Sequence, residues 1–189
     1  MGFHWLVHAL LASLLSSVAQ PPRLVPQPPS VRYFAYGANN DQQLMRRRIG
    51  SEPLAAEPAV AQGFRLAFTA LGVPPEPGFA SIEPAHGLSE CHGVLYTLTF
   101  EQMARLCATE AVPVAYAVVS LKVRTYHGQS VGAATLRANG VGALLESMFG
   151  PIRPSERYLN IIRAGARESG LSEEWLTHLG ALAHYGAPS

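Results

Sequence analysis

The run VAYAVVSLKVRTY, Val114 to Tyr126, limits the possible folds more than any other part of the chain. Val119, Leu121 and Val123 alternate with Ser120, Lys122 and Arg124, the period of a strand with one face in a core and the other in water. His127-Gly128-Gln129 turns the chain, and AATLRA, Ala133 to Ala138, offers a partner strand. Upstream, Val31 to Ala35 reads as a strand followed by a helix over Asp41 to Ile49. After a loop, FRLAF, FASIEP and CHGVLYTL read as further strands, and FEQMARLCATE repeats apolar positions at helical spacing. Two helices close the chain, one starting after Pro154-Ser155 and one at Ser172, with Gly170 as the stop between them. This order is not the regular alternation of a doubly wound sheet, and no GxGxxG or GxxxxGK[ST] occurs. The expected class is α+β: a small mixed β-barrel or strongly curved sheet with surrounding helices.

Length and composition bound the partners. A chain of 189 residues, 48% hydrophobic, suffices for one domain with a core of its own. A net charge of +1 provides no basic field for nucleic acid. Arg46-Arg47-Arg48 fans across most of a helical turn and reads as a solvated face. Small molecules are the expected partners, with the apolar fraction compatible with a monomer or a homodimer. Two cysteines, Cys91 and Cys107, allow at most one bridge, and the seven histidines show no metal-ligand spacing, so no metal is expected.

The first thirty residues differ in kind. Trp5 to Leu15 is an apolar run broken only by His8 and Ser13, followed by the small-x-small triplet Ser17-Val18-Ala19. It is too short for a confident membrane span, so no integral membrane domain is expected. Residues 1–19 read as a cleaved targeting segment, for the secretory pathway or an organelle; without such a role the protein would be cytoplasmic. Residues 20–30, rich in proline, read as an extended linker, and residues 31–185 as the folded domain.

Two local features suggest chemistry. The first strand ends abruptly at Tyr36-Gly37-Ala38-Asn39-Asn40, residue types that tolerate left-handed backbone and can turn successive N–H groups toward one anion. Glu110 is placed at a helix C-terminus, facing the negative end of the dipole at a cost of roughly 0.3–1 kcal/mol for an exposed site. Its sequence neighbours Ala108, Ala111, Val112, Val114 and Ala115 offer it no charged partner, surroundings that disfavour a charged carboxylate and suit a general base for an amine.

Several segments, in order, resemble the gamma-glutamylcyclotransferase family. YFAYGANN from Tyr33 resembles its YFAYGSN strand and glycine loop. GFASIEPAHGLSECHGVLYTLTFEQMARL from Gly78 resembles its hairpin and helix, and ATEA from Ala108 its acid position. PSERYLNIIRAGARESGLSEEWLTHL from Pro154 resembles its two terminal helices. The resemblance covers about Tyr33 to Leu179. It implies a small αβ barrel that converts a γ-glutamyl amino acid or amine to 5-oxoproline and the free amine, without a cofactor. It further implies that Tyr36, Gly37, Ala38 and Asn39 hold the γ-glutamyl group through backbone N–H groups, that Glu110 is the acid and base, and that Thr135 and Tyr158 are substrate-side contacts.

The chain departs from the family pattern at Ala38 for Ser, Ala111 for Gly, Cys107 where Asp is common and Thr135 where many members carry Tyr. These departures leave the preferred substrate open. They also admit a catalytically inactive γ-glutamyl-binding or regulatory domain as the alternative. The opening YGANN differs from the YGSLxW form of glutathione-specific relatives, which argues against intact glutathione as substrate.

Overall fold

The computed structural model describes residues 28–186. The targeting segment expected over residues 1–19 and the linker residues up to 27 lie outside them. Five strands close into a barrel in the order β1 (Ser30–Ala35), β5 (Glu90–Thr99), β2 (Ala55–Gln62), β6 (Tyr116–Thr125) and β7 (Ser130–Ala138). Four neighbouring pairs are antiparallel, and β7 returns to β1 in parallel at Tyr33↔Ala134. The parallel seam is a matter of parity, since strands that reverse direction at every step of an odd ring bring the last alongside the first in the same direction.

The expected barrel is therefore present, with elements that local patterning did not reveal. β2 carries Pro58 and little alternation, yet pairs with β5 along its whole length, from Ala55↔Thr97 to Gln62↔Glu90. Pro58 has no N–H to give, but its carbonyl accepts the Tyr126 N–H at 3.1 Å. The segments FRLAF and FASIEP lie in longer strands, β3 (Phe64–Val73) and β4 (Glu76–Pro84), which form a separate two-stranded sheet bulged between Ala67 and Ala70. The long alternating strand begins at Tyr116, because Val114 and Ala115 spend their N–H groups on the Ala111 carbonyl.

Helix α1 (Gln42–Ile49) follows the short 3-10 turn Ala38–Asn40, capped by the Asp41 carboxylate on Leu44 N at 2.7 Å. α2 (Phe100–Thr109) leaves β5 without a loop because Thr99 and Gln102 form a reciprocal capping box. α3 (Val141–Phe149), not anticipated from the sequence, precedes the terminal helices α4 (Glu156–Glu168) and α5 (Glu173–Ala181), capped by Ser155 and Ser172. Phe34, Tyr96, Leu98, Met45, Leu106, Leu159 and Ile162 make one core between the barrel and these helices. Both cysteines are free thiols. No helix among the described residues is long and apolar enough to cross a membrane.

Candidate active site

The first strand, the turn after it and the ends of α1 and α2 meet at a cavity of about 480 Å³. Tyr36, Gly37, Ala38 and Asn39 line it on one side, Glu110 and Arg48 on another, and Tyr158 projects into it from α4. The turn is packed as well as placed. A Cβ added to Gly37 would stand 2.7 Å from the Ala80 Cβ, so the hairpin leaves room for glycine alone. Ser169 Oγ, just past α4, donates to the Asn40 carbonyl at 2.8 Å and ties down the far end of the turn.

The backbone groups of the turn are divided. Asn40 N donates to the Gly37 carbonyl at 2.9 Å and Asp41 N to that of Ala38 at 3.1 Å. Ala38 N faces the Tyr158 hydroxyl, while Gly37 N and Asn39 N have no protein acceptor among the described residues. Two N–H groups at the cavity wall are thus free for an acceptor.

Glu110 is the C-cap residue of α2, and the chain leaves the helix through a Schellman turn: Val112 N donates to the Cys107 carbonyl at 3.0 Å and Ala111 N to that of Ala108 at 3.4 Å. That geometry puts Ala111 at φ +52°, the left-handed region in which a Cβ is strained. Glycine there would relieve the strain and lose part of the gain to unfolded-state entropy. Ala111→Gly is expected to raise stability by about 0.5–1 kcal/mol, read as a later urea midpoint at unchanged slope.

The surroundings of Glu110 differ from the expectation drawn from its sequence neighbours. Arg48, from α1, pairs with Glu110 Oε1, and Asn39 Nδ2 donates to the same oxygen at 2.9 Å. Arg48 Nη1 also donates to Asn39 Oδ1 at 2.5 Å, closing a triangle of three side chains. Its members come from α1, the turn and the end of α2, which is why no local window displays it. The reading of Arg46-Arg47-Arg48 as one solvated face is corrected accordingly. Arg46 pairs with Glu52 and Arg47 is exposed, but Arg48, about 100° further round the helix, turns inward and leaves only 25% of its side chain exposed. Asn39, expected to act through its backbone, contributes its side chain too.

Four tyrosines, Tyr33, Tyr36, Tyr116 and Tyr158, complete the wall. Burial raises the pKa of each phenol, that of Tyr158 to about 12, so all four remain protonated through the neutral range. Thr135 does not belong to this wall. It is fully buried between strands and its hydroxyl donates to the Phe34 carbonyl at 2.7 Å, a barrel contact across the β7–β1 seam. Of the two residues expected as substrate-side contacts, the cavity wall thus includes Tyr158 and not Thr135.

The AIG2-like family matches residues 90–179, from the start of β5 into α5. Gamma-glutamyl cyclotransferase aclK of Aspergillus oryzae is 29% identical over 164 residues, spanning 79% of this chain and 60% of that protein. Gamma-glutamyl cyclotransferase gliK of Claviceps purpurea is 31% identical over 134 residues, spanning 67% of this chain and 57% of that protein. A solved gamma-glutamyl cyclotransferase superposes with a TM-score of 0.68 at 25% identity, covering 85% of this chain and 92% of that one.

In sequence and in fold the chain is similar to gamma-glutamyl cyclotransferases. It spans about 60% of the length of the curated relatives it matches. Within this fold, the cavity opens at the end of the barrel where β1 passes into the glycine turn. Of the charged residues that line it, Arg48, Glu110 and Arg157, the first two stand in contact with each other.

Proposed function

We propose that the protein is a gamma-glutamyl cyclotransferase, releasing 5-oxoproline and a free amine from a γ-glutamyl amino acid or amine. The observation that carries the reading is the disposition of Glu110. Both hydrogen bonds it receives end on Oε1, from Arg48 and Asn39, and Oε2 has no protein donor among the described residues. A carboxylate held by one oxygen presents the other as a fixed proton acceptor at the cavity wall.

The reaction requires little else. The substrate's α-amino group attacks its own γ-carbonyl and closes a five-membered ring, so no protein nucleophile is required and holding the folded conformer supplies much of the rate. Glu110 Oε2 takes a proton from the α-ammonium, and the freed lone pair attacks the γ-carbonyl carbon. As the C–N bond to the leaving group breaks, Glu110 passes protons to the departing nitrogen. Two protons move in all from the attacking to the leaving nitrogen, and no water is consumed. The free N–H groups of Gly37 and Asn39 suit the substrate α-carboxylate.

The test is release of 5-oxoproline from a panel of γ-glutamyl dipeptides, γ-glutamyl-lysine and glutathione, comparing the protein with its Glu110→Gln variant. Turnover abolished by the substitution supports the reading. A folded protein that binds these compounds and turns none over is instead a γ-glutamyl-binding domain. Arg48 acts through Glu110, as a positioning residue. Arg48→Met is expected to lower kcat by about 10²-fold, the scale of a misplaced reacting group, with a smaller change in KM. Steady-state kinetics alongside thermal melting checks this.

A further inference from the structure

Each polar hydrogen around the cavity can be followed to its acceptor. Arg48 is donor-only, so its contact identifies Oδ1 as the Asn39 atom facing it and leaves Nδ2 facing the other way. The two hydrogens on Nδ2 then go to Glu110 Oε1 at 2.9 Å and Tyr33 Oη at 3.2 Å. Tyr33 Oη is therefore an acceptor in this contact, and its own hydrogen has no protein acceptor among the described residues.

Other tyrosines differ. Tyr36 donates to the Leu136 carbonyl, Tyr116 to that of Ala80 at 2.9 Å and Tyr96 to that of Asn39 at 3.0 Å. Among the tyrosines that line the cavity, only Tyr158 shares the pattern of Tyr33: it accepts from Ala80 N at 3.2 Å and faces Ala38 N, and its hydrogen too is uncommitted. The two phenols stand at different places. Tyr158 adjoins the glycine turn, whereas Tyr33 shares a single donor nitrogen with Glu110. Tyr33 is 2% exposed and lines the cavity.

We propose that Tyr33 is a further catalytic residue, whose phenol donates its hydrogen bond to the substrate γ-carbonyl oxygen as negative charge develops there. This rests on the cyclotransferase reading above and adds the group that completes its chemistry. When the α-amino nitrogen bonds to the γ-carbon, the C=O π pair moves onto oxygen. When the leaving nitrogen departs, that pair re-forms the C=O bond. Tyr33 keeps its proton throughout, since burial and the nearby Glu110 carboxylate both oppose ionisation of the phenol. A donor fixed beside the base meets the oxyanion without reorganisation, the usual source of electrostatic catalysis.

The experiment measures kcat and KM for 5-oxoproline release in the full chain and in Tyr33→Phe, Tyr158→Phe and a variant with 3-fluorotyrosine at position 33. Tyr33→Phe is expected to lower kcat by about 10²-fold, the cost of one oxyanion donor, with KM within a few-fold. Tyr158→Phe is expected to act mainly on KM. The fluorinated phenol keeps the shape and is the stronger donor, so it should restore at least the original kcat. Normal turnover with Tyr33→Phe within twofold of it overturns the role of Tyr33 alone. So does a folded fluorotyrosine variant whose kcat is about 10²-fold below that of the original protein, which decides the matter even where Tyr33→Phe fails to fold. A wild-type chain without turnover overturns the cyclotransferase reading and this role with it.

Discussion

Glu110→Gln is expected to melt close to the original protein, bind γ-glutamyl compounds with similar KM, and release 5-oxoproline about 10² to 10⁴ times more slowly, the contribution of a positioned general base. The atoms of the site explain why so small a change should be so selective. Arg48 and Asn39 both donate to Oε1, and the amide oxygen of glutamine can accept both bonds in the same place. The triangle that joins α1, the turn and α2 therefore survives. What changes is Oε2, where an NH2 group takes the place of an oxygen and can accept no proton. Stopped or steady-state assays of 5-oxoproline, with melting curves for both proteins, check the split between chemistry and folding. Near-normal release from the glutamine variant would remove Glu110 from the mechanism.

Gly93→Ala is expected to lower stability by at least about 3 kcal/mol, at the upper end of the cost of overpacking. Gly93 lies on β5, paired with Ala59 of β2, and a Cβ there would stand 1.9 Å from the Ala35 carbonyl oxygen. Contact at that distance cannot be relieved by a side-chain rotation, because the obstructing atom is backbone and the neighbouring Phe34 ring is itself buried in the core. The strand β1 must move away. Ala35 is its last residue and the glycine turn follows at once, so the same displacement should disturb the N–H groups of Gly37 and Asn39. Urea unfolding is the direct measurement. A midpoint and slope like those of the original protein would show that the barrel absorbs a methyl group there, contrary to the geometry.

Single-side-chain predictions of this kind depend on how far local pattern carries and where it stops. The alternation of Val119, Leu121 and Val123 identifies a half-buried strand because side chains on a strand point to opposite faces with period two, whatever the strand pairs with. The helix over Phe100–Thr109 is equally local, since Thr99 and Gln102 cap it within one turn. The glycine turn and Glu110 stand out by residue type and position alone. Their order along the chain, together with the terminal helices, sufficed for the resemblance.

Other features have no local signature. β2 is a strand because β5 offers it a complete row of partners, and its alanines and Pro58 carry almost no intrinsic preference of their own. Thr135 reads as a substrate contact by its place in the family pattern, but the β7–β1 seam closes over it and directs its hydroxyl to the Phe34 carbonyl. Arg48 differs from Arg46 and Arg47 only in which way the helix turns it, and that direction has meaning only once α1 lies against the end of α2. The sequence by itself determined the alternating strand and the capped helices and singled out the glycine turn and Glu110, because each of these follows from residues a few positions apart. Only the tertiary structure decided which charge meets that acid and which phenol keeps a free hydrogen. Arg48 and Glu110 are 62 positions apart, and their contact exists only through the closure of the barrel and the packing of helices around it.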